Sequence, residues 1–160
     1  MSEEVFLSIW LCTPSLWLCV FGNSAPGRGA GDGFLNQVLL VDDNPVQLSV
    51  REAVLRRAGF QVSVATSAES ALATLRIIRN RIGVIVTDHL MPGCGGPELV
   101  RRIRAENNWI PIVVLSGLPD AVSEYEGLEV VFRAKPFPPP DLIELVRSSL
   151  AEANRHRGAA

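Results

Sequence analysis

Short apolar runs alternate with helical patterns along most of this chain, starting near Leu35. Val38–Val41 and Ile82–Thr87 are rich in branched apolar residues and carry no charge, which is typical of strands buried on both faces of a sheet. Ile110–Leu115 has the same character, and two further strands are predicted around Val62 and Val131. Because helical patterns separate these strands, the sequence predicts βαβ units, right-handed crossovers and a parallel sheet.

Local start and stop signals place the first two helices. Asn44 and Pro45 suit the cap and first turn of a helix that stops at Gly59. Thr66 and Glu69 have the spacing of a capping box before a second helix. The apolar positions expected to be buried are Val46, Val50, Val54 and Ala58 in the first helix and Ala71, Leu72, Leu75 and Ile78 in the second.

The remaining helical segments differ in strength. Pro97 begins a third helix, and Pro119–Glu126 has room for only about two helical turns. Asp141–Ala153 predicts a good amphipathic helix. The positions expected to face the core are Leu99, Val100 and Ile103 in the third helix and Leu142, Leu145, Val146 and Ser149 in the last.

The first 34 residues follow a different pattern. No side chain from Val5 to Gly27 is charged, and Phe6–Phe21 is strongly apolar. Acidic rather than basic residues precede this stretch, which argues against a signal peptide, and Pro14 interrupts a run already short for a membrane span of ~20 residues. We interpret residues 1–34 as an extension that is disordered or wrongly included in the chain, with a membrane anchor or a packing segment left open. The folded domain is expected over residues 35–157.

Composition narrows the class of protein. A chain of 160 residues has room for one domain of ordinary size with a proper core. The formal net charge is −2, and Lys and Arg are spread along the chain, so electrostatics give no reason to expect nucleic acid as a partner. Cys12, Cys19 and Cys94 form neither a disulfide framework nor a CxxC metal motif, so a reducing cytoplasm is the expected location.

Three acidic residues come at the ends of two predicted buried strands. Asp42 and Asp43 follow Val38–Val41, and Asp88 follows Ile82–Thr87. Because an unpaired carboxylate is costly to bury, these residues should emerge at the carboxyl edge of the sheet, where open α/β folds bind ligands. Three neighbouring carboxylates repel one another unless a hard cation lies among them. The sequence therefore predicts a Mg²⁺ site.

Two further strand ends bring a hydroxyl and an ammonium group to the same edge. Ser116 ends the run IPIVVLS, and Lys135, followed by Pro136, ends EVVFRAK. Beside a metal-bound carboxylate these groups form a cradle for a phosphoryl group. Mg²⁺ would take one oxygen, Ser116 would donate to a second, and Lys135 would pair with a third.

This set of strand-end residues closely resembles the signature of the receiver domain of bacterial two-component response regulators. An acid pair, a single Asp, a Ser and a Lys-Pro pair occur here in that order, over about residues 35–155. The resemblance implies a flavodoxin-like (βα)5 fold, a doubly wound five-stranded parallel sheet with the order 2-1-3-4-5. Spacing alone would leave other doubly wound orders open.

The resemblance also implies a role for each residue. Asp88 would be the phosphoacceptor and nucleophile, and Asp42 and Asp43 would bind Mg²⁺ together with Asp88. The backbone carbonyl of Leu90 would be a further metal ligand. Lys135 would neutralise a phosphoryl oxygen.

Three further expectations follow from the same resemblance, one for the lysine and two for the switch. The peptide bond between Lys135 and Pro136 is expected to be cis. Ser116 would move toward the phosphoryl group. Phe132 would then rotate inward, through packing alone because it has no hydroxyl.

The implied partners are a histidine kinase or phosphotransfer domain and a downstream protein of unknown identity, with a homodimer formed on phosphorylation left open. We expect no enzymatic activity beyond self-phosphorylation and slow dephosphorylation. Few residues follow the last helix, so no DNA-binding output domain is expected. The chain would be a stand-alone receiver or part of a hybrid kinase.

Two other classes of function remain. An aspartate-nucleophile phosphatase also uses a strand-end Asp and Mg²⁺, but such enzymes place a second acid where this chain has Leu90. The other class is a docking module that is not phosphorylated. Only the shortness of the helix predicted over Pro119–Glu126 suggests it. His89, next to Asp88, is interpreted as a surface or loop-packing residue rather than a general base.

Overall fold

The structure is a computed structural model that describes residues 35–106 and 109–159. The predicted extension of residues 1–34 lies outside the described residues, so its assignment and the domain boundaries stay predictions. The five strands are β1 (Gln37–Val41), β2 (Gln61–Ala65), β3 (Ile82–Asp88), β4 (Ile112–Ser116) and β5 (Val131–Ala134). The α-helices are α1 (Pro45–Arg57), α2 (Ala68–Ile78), α3 (Gly96–Glu106) and α4 (Pro139–Gly158), and Arg79–Arg81 and Pro119–Tyr125 are 3-10 helices.

All strand pairs are parallel, and the sheet order is β2-β1-β3-β4-β5. The flavodoxin-like fold and the order 2-1-3-4-5 are therefore confirmed. β3 lies at the centre, and each of its seven residues is buried. Its side chains alternate between two apolar layers, with Ile85 on the side of α2 and α3 and Val84 and Val86 on the side of α1 and α4.

The helix caps follow local chemistry, with one shift from the prediction. Asn44 caps α1 by accepting hydrogen bonds from the backbone amides of Val46 and Gln47, and the chain leaves the helix at Gly59 with φ +92°. The predicted capping box at Thr66 is wrong by one residue. Ser67 is the cap, and its hydroxyl accepts a hydrogen bond from the amide of Ser70.

Helix α1 buries a different face from the predicted one. Leu48 and Leu55 are buried, whereas Val46 and Val50 are 69% and 56% exposed. A fourfold spacing drifts by about 40° per step around a helix, whereas residues seven apart differ by only ~20°, so the two leucines share a face over the whole helix. The larger leucine side chains also bury more apolar area.

The link between β4 and β5 is a 3-10 helix of seven residues, Pro119–Tyr125, in place of a fourth α-helix. The sequence predicted a short element here, and the structure agrees. Only Ala121 and Tyr125 of this segment are buried. The last helix is longer than predicted and buries Leu142, Val146, Ser149, Leu150 and Ala153. Within the described residues, no helix has the length and apolar character that crossing a membrane requires.

Candidate functional site

The three predicted acids meet at the carboxyl edge of the sheet. Asp42 and Asp43 follow the last residue of β1, and Asp88 ends β3, the neighbouring strand. Each of the three can place a carboxylate oxygen within 4.8 Å of the others. Asp42 is 1% and Asp88 9% exposed, whereas Asp43 is exposed, so the cluster is buried on two sides and open on the third.

The donor chemistry of this cluster fits a hard divalent cation. Carboxylate oxygens are the ligands that Mg²⁺ prefers in proteins, and the exposed Asp43 leaves room for the waters that Mg²⁺ retains. Leu90 follows two residues after Asp88 with its side chain 58% exposed. The role predicted for the Leu90 carbonyl stays a prediction, as does the identity of the cation.

Lys135 reaches the central acid from the other side. Its Nζ donates a hydrogen bond of 2.7 Å to Asp88 Oδ1, which also accepts a hydrogen bond of 2.9 Å from the backbone amide of His89. The strand geometry brings the lysine here, because the Lys135 amide donates to the Ser116 carbonyl at 2.7 Å and extends the β4–β5 ladder by one residue. The peptide bond to Pro136 is cis, as predicted.

The hydroxyl of Ser116 is bonded within its own loop. Ser116 ends β4 and is fully buried. Its Oγ donates to the carbonyl of Leu118 at 3.1 Å and accepts from the amide of Leu118 at 3.0 Å. A phosphoryl group on Asp88 would therefore have to compete with the Leu118 carbonyl for this proton. The sequence placed the residue correctly but did not indicate this local turn.

Phe132 is half-buried in β5 and packs against an aromatic ring that the sequence analysis did not single out. The rings of Phe132 and Tyr125 are 5.9 Å apart and tilted by 51°. Tyr125 is buried at the end of the 3-10 helix, and burial raises the pKa of its hydroxyl. The phenol therefore stays protonated and polar in a mostly apolar setting, where such groups need a hydrogen-bond partner.

His89 supplies that partner. The Tyr125 hydroxyl lies 2.9 Å from His89 Nδ1, and the two rings meet edge to face at 5.7 Å. His89 is 4% exposed, so it packs inside the protein and not at the surface. The residue after Asp88 is thus connected through Tyr125 to Phe132. The sequence held no signal for this contact, because His89 and Tyr125 are 36 positions apart.

Two further residues on α1 belong to the site. The Arg51 guanidinium forms an ion pair with Asp42 through Nη1 and donates to Gln47 Oε1 through Nη2 at 2.8 Å. Gln47 Oε1 also lies 3.4 Å from Lys135 Nζ. Gln47 and Arg51 are four residues apart just after the acid pair, and that spacing on one helix face could have indicated them.

Comparison with known proteins agrees with this geometry. Residues 38–147 match the sequence model of a protein family, the response regulator receiver domain. The DNA-binding response regulator MtrA of Mycolicibacterium smegmatis is 33% identical over 122 residues, 74% of this chain and 52% of that protein. The chain thus spans about half the length of this curated relative.

Solved structures give the same result. A response regulator receiver protein from Pseudomonas putida is 33% identical, with a TM-score of 0.64 over 70% of this chain and 95% of that one. The signal receiver domain of a signal transduction histidine kinase from Syntrophus aciditrophicus is 26% identical, with a TM-score of 0.66 over 72% of this chain and 90% of that one.

Proposed function

We propose a phosphoacceptor function for this chain, which belongs to the response regulator receiver domain family of two-component signalling. Receiver domains are signalling modules that histidine kinases phosphorylate. The finer proposal is that Asp88 takes the phosphoryl group from a phosphohistidine on a histidine kinase or phosphotransfer domain in the cytoplasm. The observation that supports it is the position of Asp88, which lies among two further carboxylates and bonds the Lys135 ammonium at 2.7 Å.

In the proposed reaction, a carboxylate oxygen of Asp88 attacks phosphorus while the phosphorus–nitrogen bond of the phosphohistidine breaks. The imidazole nitrogen keeps the electron pair, and an aspartyl phosphate forms. When held by Asp42, Asp43, Asp88 and the Leu90 carbonyl, Mg²⁺ would supply charge neutralisation for the phosphoryl oxygens. Lys135 would release the Asp88 oxygen and pair with the phosphoryl group. The attacking carboxylate has no proton to lose, so no general base is required, and positioning and charge neutralisation carry most of the catalysis.

The proposal is tested by incubating the full chain with acetyl phosphate and Mg²⁺, followed by intact mass measurement. We expect a mass increase of one phosphoryl group per chain that depends on Mg²⁺. Release of phosphate over many turnovers without a persistent adduct would instead favour the phosphatase class. No reaction would favour a docking module and contradict the proposal.

The proposed switch runs from Ser116 to Phe132 and its neighbour Tyr125. A phosphoryl oxygen would draw the Ser116 hydroxyl away from the Leu118 carbonyl, which frees the start of the β4–β5 link. Tyr125, at the end of that link, packs against Phe132 in β5. The 3-10 helix and β5 would therefore change conformation together when Asp88 is phosphorylated.

We expect Ser116→Ala and Lys135→Ala to accept phosphoryl groups more slowly and to lose most of the conformational response. Each loses a charge-assisted contact of ~1.5–3 kcal/mol with the phosphoryl group, a large part of the ~5.5 kcal/mol that a complete shift between two states requires. The measurement is the amide chemical shifts of residues 119–148 with and without beryllofluoride, a phosphoryl mimic.

Ser148→Ala is the matched control for this pair, because the exposed Ser148 hydroxyl donates to the Leu145 carbonyl on α4, away from the site. The control should respond like the unaltered protein. If Ser116→Ala and Lys135→Ala show the full shift changes, the signal leaves Asp88 by another route.

A further inference from the structure

Helix α1 places a positive charge directly on the acidic site. The Arg51 side chain is only 18% exposed, and its guanidinium is paired with Asp42, whose side chain is 2% exposed. The second oxygen of the same carboxylate, Asp42 Oδ1, accepts a hydrogen bond of 2.8 Å from the Asn44 amide. Both oxygens of Asp42 therefore have donors from the protein itself.

Gln47 fixes the position of this charge. Its side-chain oxygen accepts from Arg51 at 2.8 Å and lies 3.4 Å from the Lys135 ammonium. The Gln47 oxygen thus lies between two cations, each of which also pairs with a carboxylate, Arg51 with Asp42 and Lys135 with Asp88. A continuous polar bridge results, running from Asp42 through Arg51, Gln47 and Lys135 to Asp88.

The bridge affects how the carboxylates can bind a cation. Two of the three acids, Asp42 and Asp88, each have a protein cation in direct contact. A divalent ion, or a water bound to it, that approaches Asp42 must share the carboxylate with the guanidinium and also meets its positive charge. Both effects lower the affinity of the site for the ion.

We infer that Arg51, held by Gln47, is a tuning residue of the acidic site: a built-in counter-charge that weakens divalent-cation binding while stabilising the buried Asp42. This inference rests on the proposed metal site and adds a determinant of its affinity. Arg51 therefore has two effects of opposite direction. It stabilises the fold at low cation concentration, and it makes the site require more Mg²⁺.

The test is the thermal stability of the full chain as a function of Mg²⁺ concentration, starting from a solution with chelator. Ligand linkage converts the rise in melting temperature into a dissociation constant. We expect Arg51→Gln to melt below the unaltered protein in chelator and to bind Mg²⁺ about tenfold more tightly, because a partly screened unit charge has been removed.

Three comparison variants distinguish the effect of the Arg51 charge on Mg²⁺ affinity from the effect of the contacts that hold the side chain. Arg51→Lys keeps the charge and should bind Mg²⁺ within about twofold of the unaltered protein. Gln47→Met keeps Arg51 and its ion pair with Asp42 but removes the second acceptor that orients the guanidinium, so the Mg²⁺ affinity of the variant should rise by about two- to threefold. Arg57→Gln, on an exposed position of the same helix, removes a charge away from the site and should change neither quantity.

Failure of the inference about Arg51 can be distinguished from failure of the proposed function. If the unaltered protein shows no Mg²⁺-dependent stabilisation and no phosphorylation, the metal site itself is wrong. If it binds Mg²⁺ and takes up phosphoryl, but Arg51→Gln binds Mg²⁺ equally or more weakly, Arg51 is merely structural and the inference fails. If Arg51→Gln does not fold, Gln47→Met provides the test. A Mg²⁺ affinity of Gln47→Met equal to that of the unaltered protein would then overturn the inference.

Discussion

Replacing Asp88 with asparagine is expected to abolish phosphoryl uptake from acetyl phosphate. An amide oxygen is not a competent nucleophile toward phosphorus, and Asp43, the exposed acid nearby, lacks the direct Lys135 contact that Asp88 has. The expected loss is complete within detection of the phosphoryl adduct by intact mass. Asp120→Asn, which alters an exposed acid on the 3-10 helix, is the matched control and should be phosphorylated normally.

The Asp88→Asn protein should fold. Losing one negative charge relieves repulsion within the acid cluster, while losing the ion pair with Lys135 has the opposite effect on the free energy of unfolding. The two changes offset each other, so we expect a net change within ~1 kcal/mol. Phosphoryl uptake by Asp88→Asn at the unaltered rate would show that another residue is the acceptor.

The second large effect is expected at Gly96, at the start of α3. A Cβ built there would lie 2.5 Å from the Tyr125 hydroxyl, 2.8 Å from the Asp88 carbonyl oxygen and 3.0 Å from His89 Cα. Two of these atoms are backbone of the segment that carries Asp88, the proposed phosphoacceptor, and the third ends a stiff ring bonded to His89. We expect Gly96→Ala to lower the free energy of unfolding by ~2–3 kcal/mol, measured by urea denaturation.

The neighbouring glycine offers a matched control. A Cβ at Gly95 would meet its nearest atoms at 3.7 Å, an ordinary contact distance, so Gly95→Ala should cost only the loss of a good residue at the start of α3, less than ~1 kcal/mol. Adding Tyr125→Phe to Gly96→Ala removes the hydroxyl clash but not the two backbone contacts, so it should restore only part of the loss. Equal stabilities of Gly95→Ala and Gly96→Ala would contradict the close packing at α3.

The part of the site that could be predicted from the sequence is the part that strand ends determine. Asp42, Asp88, Ser116 and Lys135 each come at or directly after the end of a strand, and in a parallel sheet those ends share one edge. No side-chain detail is needed for that conclusion. The cis bond at Lys135 was predicted as well, but from family resemblance and not from the local sequence.

Two features could not be predicted from the sequence: the contact between Tyr125 and His89, which joins distant segments, and the choice of the buried face of α1. The pairing of Tyr125 with His89 requires knowing how the 3-10 helix sits against the end of β3. In α1 both a valine stripe and a leucine pair were available, and packing against the sheet selected Leu48 and Leu55. Apolar character alone does not decide between two apolar faces; the sevenfold spacing and larger size of the two leucines favour theirs, and the structure shows which face packs on the sheet.

The 3-10 helix between β4 and β5 has a consequence for how a local change can spread. Such helices have poorer hydrogen-bond geometry than α-helices, and this one is held by two buried side chains, Ala121 and Tyr125. Every residue of β3 is buried, so the free energy of local opening should be much lower in the link than in the central strand. Within the described residues, a fully buried central strand thus lies next to a link with few buried side chains. In the proposed switch, the link would change its packing without any change in strand register, so the free-energy cost of the change would be small.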